Sequence, residues 1–152
     1  MDALNENPTP DIRRIDQLLS HYSMSHQHPV NERIHFLAVP LIMLTLIGLM
    51  YELHPAVACV FLAASMVYYL RLSLVFSAVM AVWTALMLML VFAMGEHRLL
   101  ICVSVFVGAW VLQFIGHKLE GQKPSFFEDV QYLWVGPLFV LRPLLLRFKL
   151  TW

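Results

Sequence analysis

Between Arg71 and Glu96 the chain carries no formal charge. A helix needs only about 20 apolar residues to cross a hydrocarbon core of about 30 Å, and the run at about 72–94 meets that length. In lipid a backbone must satisfy its own N–H and C=O groups, which makes a single apolar run helical. This stretch therefore constrains the whole chain toward a helical membrane protein. Three further apolar runs, at about 34–51, 55–70 and 99–117, agree with it. So does the composition: 60% of the residues are hydrophobic and 13% charged, against roughly 45–50% and about 25% in soluble domains. The expected fold class is all-α, a polytopic membrane protein with four transmembrane helices. Net charge is near zero, so nothing points to nucleic acid as a partner.

Residues 1–10 are polar and end in Pro8-Thr9-Pro10, which reads as a flexible tail ahead of one integral-membrane domain over residues 11–152. In residues 11–24, Ile12, Ile15, Leu18, Leu19 and Tyr22 recur at helical spacing, with Arg13, Arg14, Asp16 and Gln17 opposite. That pattern predicts an N-terminal interfacial helix, or an ordinary amphipathic helix docked on the rest. Pro40 is expected to bend the first span or mark its first turns. The last apolar segment, about 130–146, is interrupted by Gly136-Pro137 and Arg142-Pro143. It predicts a C-terminal re-entrant or short kinked helix, with a full fifth helix as the alternative. Cys59 and Cys102 sit inside apolar runs and read as small buried hydrophobes rather than a disulfide or metal pair. No apolar stretch precedes residue 34, so no signal peptide is expected.

Lys and Arg near span ends set orientation. With a cytoplasmic N-terminus, Arg13, Arg14, Arg33, Arg71, Lys118 and Lys123 fall on the cytoplasmic side and only Arg98 falls outside. A re-entrant last segment adds Arg142, Arg147 and Lys149 to the cytoplasmic set. The same topology sorts the histidines. His21, His26, His28, His35 and His117 share one face with Glu120, while His54 and His97 lie at the other.

Gln113, His117 and Glu120 follow one another at helical spacing, and Asn31 and His35 do the same. Taken singly, each has a plain reading. Asn31 can cap the first span, with Glu32 on its positive end. His35 can be a satisfied structural histidine, since a histidine inside a membrane helix needs a partner. An interface histidine beside a carboxylate is a common resting pair. Convergence at one depth raises the metal reading: imidazoles with a carboxylate suit Fe, Zn, Cu or Ni, and two His with one carboxylate suit non-haem Fe(II). Asn31, Gln113 and Tyr22 then become candidates to fix ring tautomers. The sequence has no HExxH, CxxC, GxSxG or P-loop. Paired Glu/His motifs of di-iron bundles are missing, and seven histidines are too few for the eight-histidine set of membrane desaturases. A mononuclear site is the expectation.

The stretch Tyr22-x3-His26-x2-Pro29-x-Asn31-x3-His35-x4-Pro40 resembles the N-terminal signature of the 2-hydroxy fatty acid dioxygenase family of fatty acid α-oxidation. Gln113-Phe114-Ile115-Gly116-His117-x2-Glu120-x3-Pro124 and Gly136-Pro137-x-Phe139 match its later signatures, so the resemblance spans roughly residues 15–140. Ala38 and Ser125 depart from the family pattern, where glycine and alanine are usual, and neither is a proposed ligand. The resemblance implies a small membrane enzyme that uses Fe(II) and O2 to shorten a 2-hydroxy fatty acid by one carbon. Carried over by position, it implies His26, His35 and His117 as metal ligands, with His21 and His28 as less certain extras. Glu120 is implied as a ligand or base, with Asn31 and Gln113 beside it. The substrate's 2-hydroxyl and carboxylate are expected at the metal, and its tail between apolar helices. Lys118, Lys123 or Arg33 can attract the carboxylate, although each also serves as a positive-inside anchor.

The competing class is a non-catalytic membrane binding or scaffold protein with a structural Zn site or no metal. A small transporter predicts polar residues at mid-membrane, where the spans carry only Ser, Thr and Cys. Besides substrate, O2 and membrane lipid, a homo-oligomer is left open as a partner state. The expected location is a bacterial inner membrane rather than the endoplasmic reticulum.

Overall fold

The computed structural model describes residues 14–24, 27–121 and 133–149. Among these, the helices are α1 (Arg14–Met24), α2 (Pro29–Leu53), α3 (Pro55–Leu72), α4 (Leu74–Ala93), α5 (Arg98–Glu120) and α6 (Val135–Arg147), with a 3-10 turn at Gly95–His97. No strand occurs among the described residues. The expected all-α architecture with four spans is present: α2, α3, α4 and α5 are each long and apolar enough to cross a membrane. The expected tail over residues 1–10 lies outside the described residues.

The helix starts show why the elements begin where they do. Two of them use the same device, a histidine followed by proline. Nδ1 of His28 accepts from Val30 N–H at 3.2 Å, and Nδ1 of His54 accepts from Ala56 N–H at 3.1 Å. The proline that follows occupies the first helical position, where its missing N–H is no loss. α2 therefore begins at Pro29, a turn ahead of its apolar run. Its cap is His28, not Asn31 as the sequence suggested. Pro40 sits inside α2 and the helix continues through it. Hydroxyls along the spans are satisfied one turn back: Thr45 donates to Leu41 O, Ser65 to Phe61 O, and Ser77, in the first turn of α4, to the carbonyl of its cap Ser73. This is the local solution open to Ser and Thr in lipid.

α2 and α5 run antiparallel and form the seam on which the rest is built. Small residues line it. Ala38 and Ala109 are both buried in one cluster. A Cβ on Gly48 would strike Cys102 Sγ, and one on Gly116 would strike Asn31 Oδ1. Without a hydrophobic drive between helices in lipid, close approach over small residues is what holds such a pair. Ala38, a departure from the family pattern, is fully buried there. Cys102 is buried as expected, but Cys59 is exposed on α3. Its place on an outward face, rather than between helices, accounts for the difference.

α6 has 13 residues, a length of about 20 Å at ~1.5 Å per residue, well short of the hydrocarbon core. It is a short helix, not a fifth span. It packs with α1 at the end of the bundle where α2 begins. Ile15, Leu19 and Tyr22 of α1 join Val135, Leu138, Phe139, Leu141 and Leu145 of α6 in one core cluster, together with Tyr69, Phe76 and Met80. Trp134 fixes its entry point: Nε1 donates to Ser65 Oγ at 2.8 Å, and its carbonyl accepts from Tyr69 Oη at 3.0 Å. Gly136 permits the close approach, because a Cβ there would lie 3.3 Å from Val39 Cγ1 and 3.5 Å from Tyr22 Oη.

Candidate functional site

The polar residues of the seam gather at the end shared by α1 and α6. Asn31 and His35 come from the first turns of α2, and Gln113, His117 and Glu120 from the last turns of α5. In an apolar helix of this kind a buried polar group needs a partner. Asn31, His35, Gln113 and His117 are all buried, so their bonding defines the site.

Glu120 ends α5, which closes on Gly121 in the left-handed conformation (φ 74°). A carboxylate at a helix C-terminus is unfavourable for its own dipole. Here it lies on the N-terminus of α2, where backbone N–H groups are unspent. Its Oε1 accepts from Gln27 N–H at 2.9 Å and from His28 N–H at 3.1 Å, and its Oε2 from His28 N–H at 3.0 Å. Asn31 Nδ2 donates to Oε2 at 2.9 Å. The residue is thus a clamp between the two helix ends, which the sequence did not reveal. Because a carboxylate only accepts, this bond also fixes the Asn31 amide: nitrogen toward Glu120, oxygen toward Gly116.

His35 is set by its own helix. Its Nδ1 lies 2.9 Å from the Asn31 carbonyl. A carbonyl can only accept, so Nδ1 carries the proton and Nε2 carries the lone pair. That is the tautomer by which metal-binding histidines are usually held. The His35 and His117 rings meet edge to face with centroids 5.2 Å apart. Two imidazoles that share a metal through nitrogens at ~2.1 Å have ring centres about 4.5–6 Å apart, so the pair fits that use. Tyr22 stands edge-on to His35 at 6.5 Å and against Phe139 at 4.9 Å. The later signature, Gly136-Pro137-x-Phe139, is thereby seated on the same site.

Not every candidate joins this group. His28 is spent as a cap through Nδ1. His21, Arg33 and Lys118 are exposed. His26 and Lys123 lie outside the described residues. Among the described residues no group of three or more His, Cys, Asp and Glu is arranged to hold a metal ion. His35 and His117 are therefore two imidazoles placed where they could share a metal, and Glu120 has its oxygens committed to N–H groups. The donor set fits a metal that accepts imidazole and keeps other positions for exogenous ligands. Gly116 went without a role in the sequence. Its signal was a glycine beside a histidine on the polar face of an otherwise apolar helix.

A protein-family model described as "2-hydroxy-palmitic acid dioxygenase Mpo1-like" matches residues 12–148. That range takes in every helix from α1 to α6. No curated protein and no solved structure matches the chain.

Proposed function

Since the chain belongs to the 2-hydroxy-palmitic acid dioxygenase Mpo1-like family, we propose that it is an Fe(II)-dependent dioxygenase that shortens 2-hydroxy fatty acids by one carbon. The observation that carries the proposal is the buried His35–His117 pair, with the His35 tautomer set by the Asn31 carbonyl. His35 and His117 would hold the iron, with His26 as the third protein ligand. His21 and His28 are left out of the set, the first by its exposure and the second by its capping bond. Bound Fe(II) supplies the redox chemistry by which O2 cleaves the C1–C2 bond. The chain's own residues do the rest. Glu120 joins the ends of α2 and α5, so that the two histidines keep their spacing. Asn31 links that clamp to His35 through its side chain and its carbonyl. Tyr22 and Phe139 wall the site with α1 and α6, which excludes water from one side. The acyl tail lies along apolar helix faces, among exposed residues such as Leu37, Val111 and Phe114.

The orientation belongs to the same proposal. Arg14, Arg33, Arg71, Lys118, Arg147 and Lys149 belong to the site end, whereas Arg98 stands at the other. We take the site end as cytoplasmic, in a bacterial inner membrane. The test is elemental analysis and O2 uptake on detergent-purified protein with 2-hydroxypalmitate, with the product read by mass spectrometry. About one iron per chain and a product one carbon shorter are expected. Stoichiometric zinc with no turnover, even after anaerobic addition of Fe(II), would overturn the proposal in favour of a structural metal site.

A further inference from the structure

The polar atoms around the two histidines are unevenly sorted. Asn31 Oδ1 and Gln113 Oε1 are buried, and neither has a hydrogen-bond donor among the described residues. Both residues are deeply buried, Asn31 at 0% and Gln113 at 7% exposure. The site is therefore rich in acceptors. A buried acceptor without a donor is unfavourable, and native proteins leave few of them without a reason.

The positions can be read from the seam. Glu120 lies against the backbone of His28, and Gly116 against Asn31. One further turn of this antiparallel pair brings Gln113 to the level of His35. Gln113 is also four residues before His117, on the same helix face. Asn31 Oδ1 is turned onto the backbone of Gly116, where a weak Cα–H contact partly answers it. Gln113 Oε1 is the other buried acceptor, and no donor reaches it among the described residues.

The chemistry of the occupant follows. A fatty acid carboxylate offers oxygens only and cannot answer an orphan amide oxygen. A 2-hydroxy acid brings an O–H next to the carboxylate, at the carbon that must reach the histidines. We infer that Gln113 accepts a hydrogen bond from the substrate's 2-hydroxyl, and that this bond selects 2-hydroxy acids over unsubstituted fatty acids. The inference rests on the proposed function, and names the residue that recognises the substrate. A site built around a hydrogen bond rejects the analogue that lacks the group, because its own polar atom is then left unpaired.

The ligand chemistry, an O–H donor, has two sources: the substrate or a fixed water. The experiment separates them. Binding of 2-hydroxypalmitate and of palmitate is measured without O2, by tryptophan fluorescence on the detergent-purified full chain. Wild type, Gln113→Leu and Gln113→Glu are compared. Wild type is expected to prefer 2-hydroxypalmitate by roughly tenfold or more, the size of one hydrogen bond. Gln113→Leu is expected to lose that preference while palmitate binds as before. Gln113→Glu restores an acceptor oxygen and should recover part of it. If Gln113→Leu keeps the preference, or wild type shows none, the inference is overturned, and a change in stability alone assigns the atom to a water. Should Gln113→Leu fail to fold, Gln113→Met, which keeps the length of the side chain but has no amide oxygen, decides: an unaltered ratio and an unaltered KM for 2-hydroxypalmitate count against the role. The dioxygenase reading fails on a different result, the absence of a one-carbon-shorter product from wild type.

Discussion

The two ends of the α2–α5 seam both carry charge, and they use it differently. At the far end Arg98 donates to Glu52 at 2.8 Å and to the Val91 carbonyl at 2.8 Å, and its guanidinium lies 4.9 Å from the Tyr51 ring centroid. Those side chains are partly open, at 15% and 32% exposure. Arg98 and Glu52 each have a partner there, and solvent reaches both. At the near end the polar residues are buried, the carboxylate is spent on backbone N–H groups, and two amide oxygens lack donors. The first end is a finished latch, and the second keeps two buried acceptors open, which the proposed ligands would answer. Polarity at a helix end does not by itself mark a site; here it is the burial of several such groups around two histidines that sets the near end apart.

The comparison can be tested from its largest effect downward. His35→Ala and His117→Ala should each abolish measurable turnover and lower bound iron, while far-UV circular dichroism stays at the wild-type level. Turnover retained in both would remove the near end's claim to chemistry. Glu120→Gln turns an acceptor oxygen into a donor facing N–H groups. It should destabilise the fold by about 2–3 kcal/mol, read by denaturation in mixed micelles, and should loosen the histidine spacing enough to reduce turnover. Gly116→Ala brings a methyl onto Asn31 Oδ1, which the bond to Glu120 holds in place. An overpacking loss of about 1–2 kcal/mol is expected, and an unchanged midpoint would show that the seam can part there without strain. Glu52→Gln, at the latch, should change stability by at most about 1 kcal/mol and leave turnover as it was. A large loss of activity from that variant would erase the distinction between the ends.

The sequence disclosed the parts of the fold that depend on local pattern. The uncharged run after Arg71 and its three companions became α2 to α5 because apolar length alone makes a span. The short final helix was legible from Gly136-Pro137 and Arg142-Pro143. That His35 and His117 would lie toward one face was legible from topology, since the first span starts and the fourth ends there; their ring contact was not. Other features rested on distant contacts that no local pattern carries. Glu120 meets Gln27 across 93 positions of sequence, and only the register of the seam sets that meeting. His28 was hidden for another reason. Histidine is not among the favoured cap residues, yet Nδ1 followed by proline performs the task twice in this chain.

The contact between α1 and α6 bears on how the molecule is made. α1 finds its packing partner in α6, on the far side of all four spans in the sequence. Until Val135–Arg147 has been synthesised, Ile15, Leu19 and Tyr22 have lost most of the cluster that buries them. The four spans can enter the membrane one after another, but the wall behind His35 waits for α6. A nascent or truncated chain that stops before α6 would thus be inserted with one wall of the candidate site still missing.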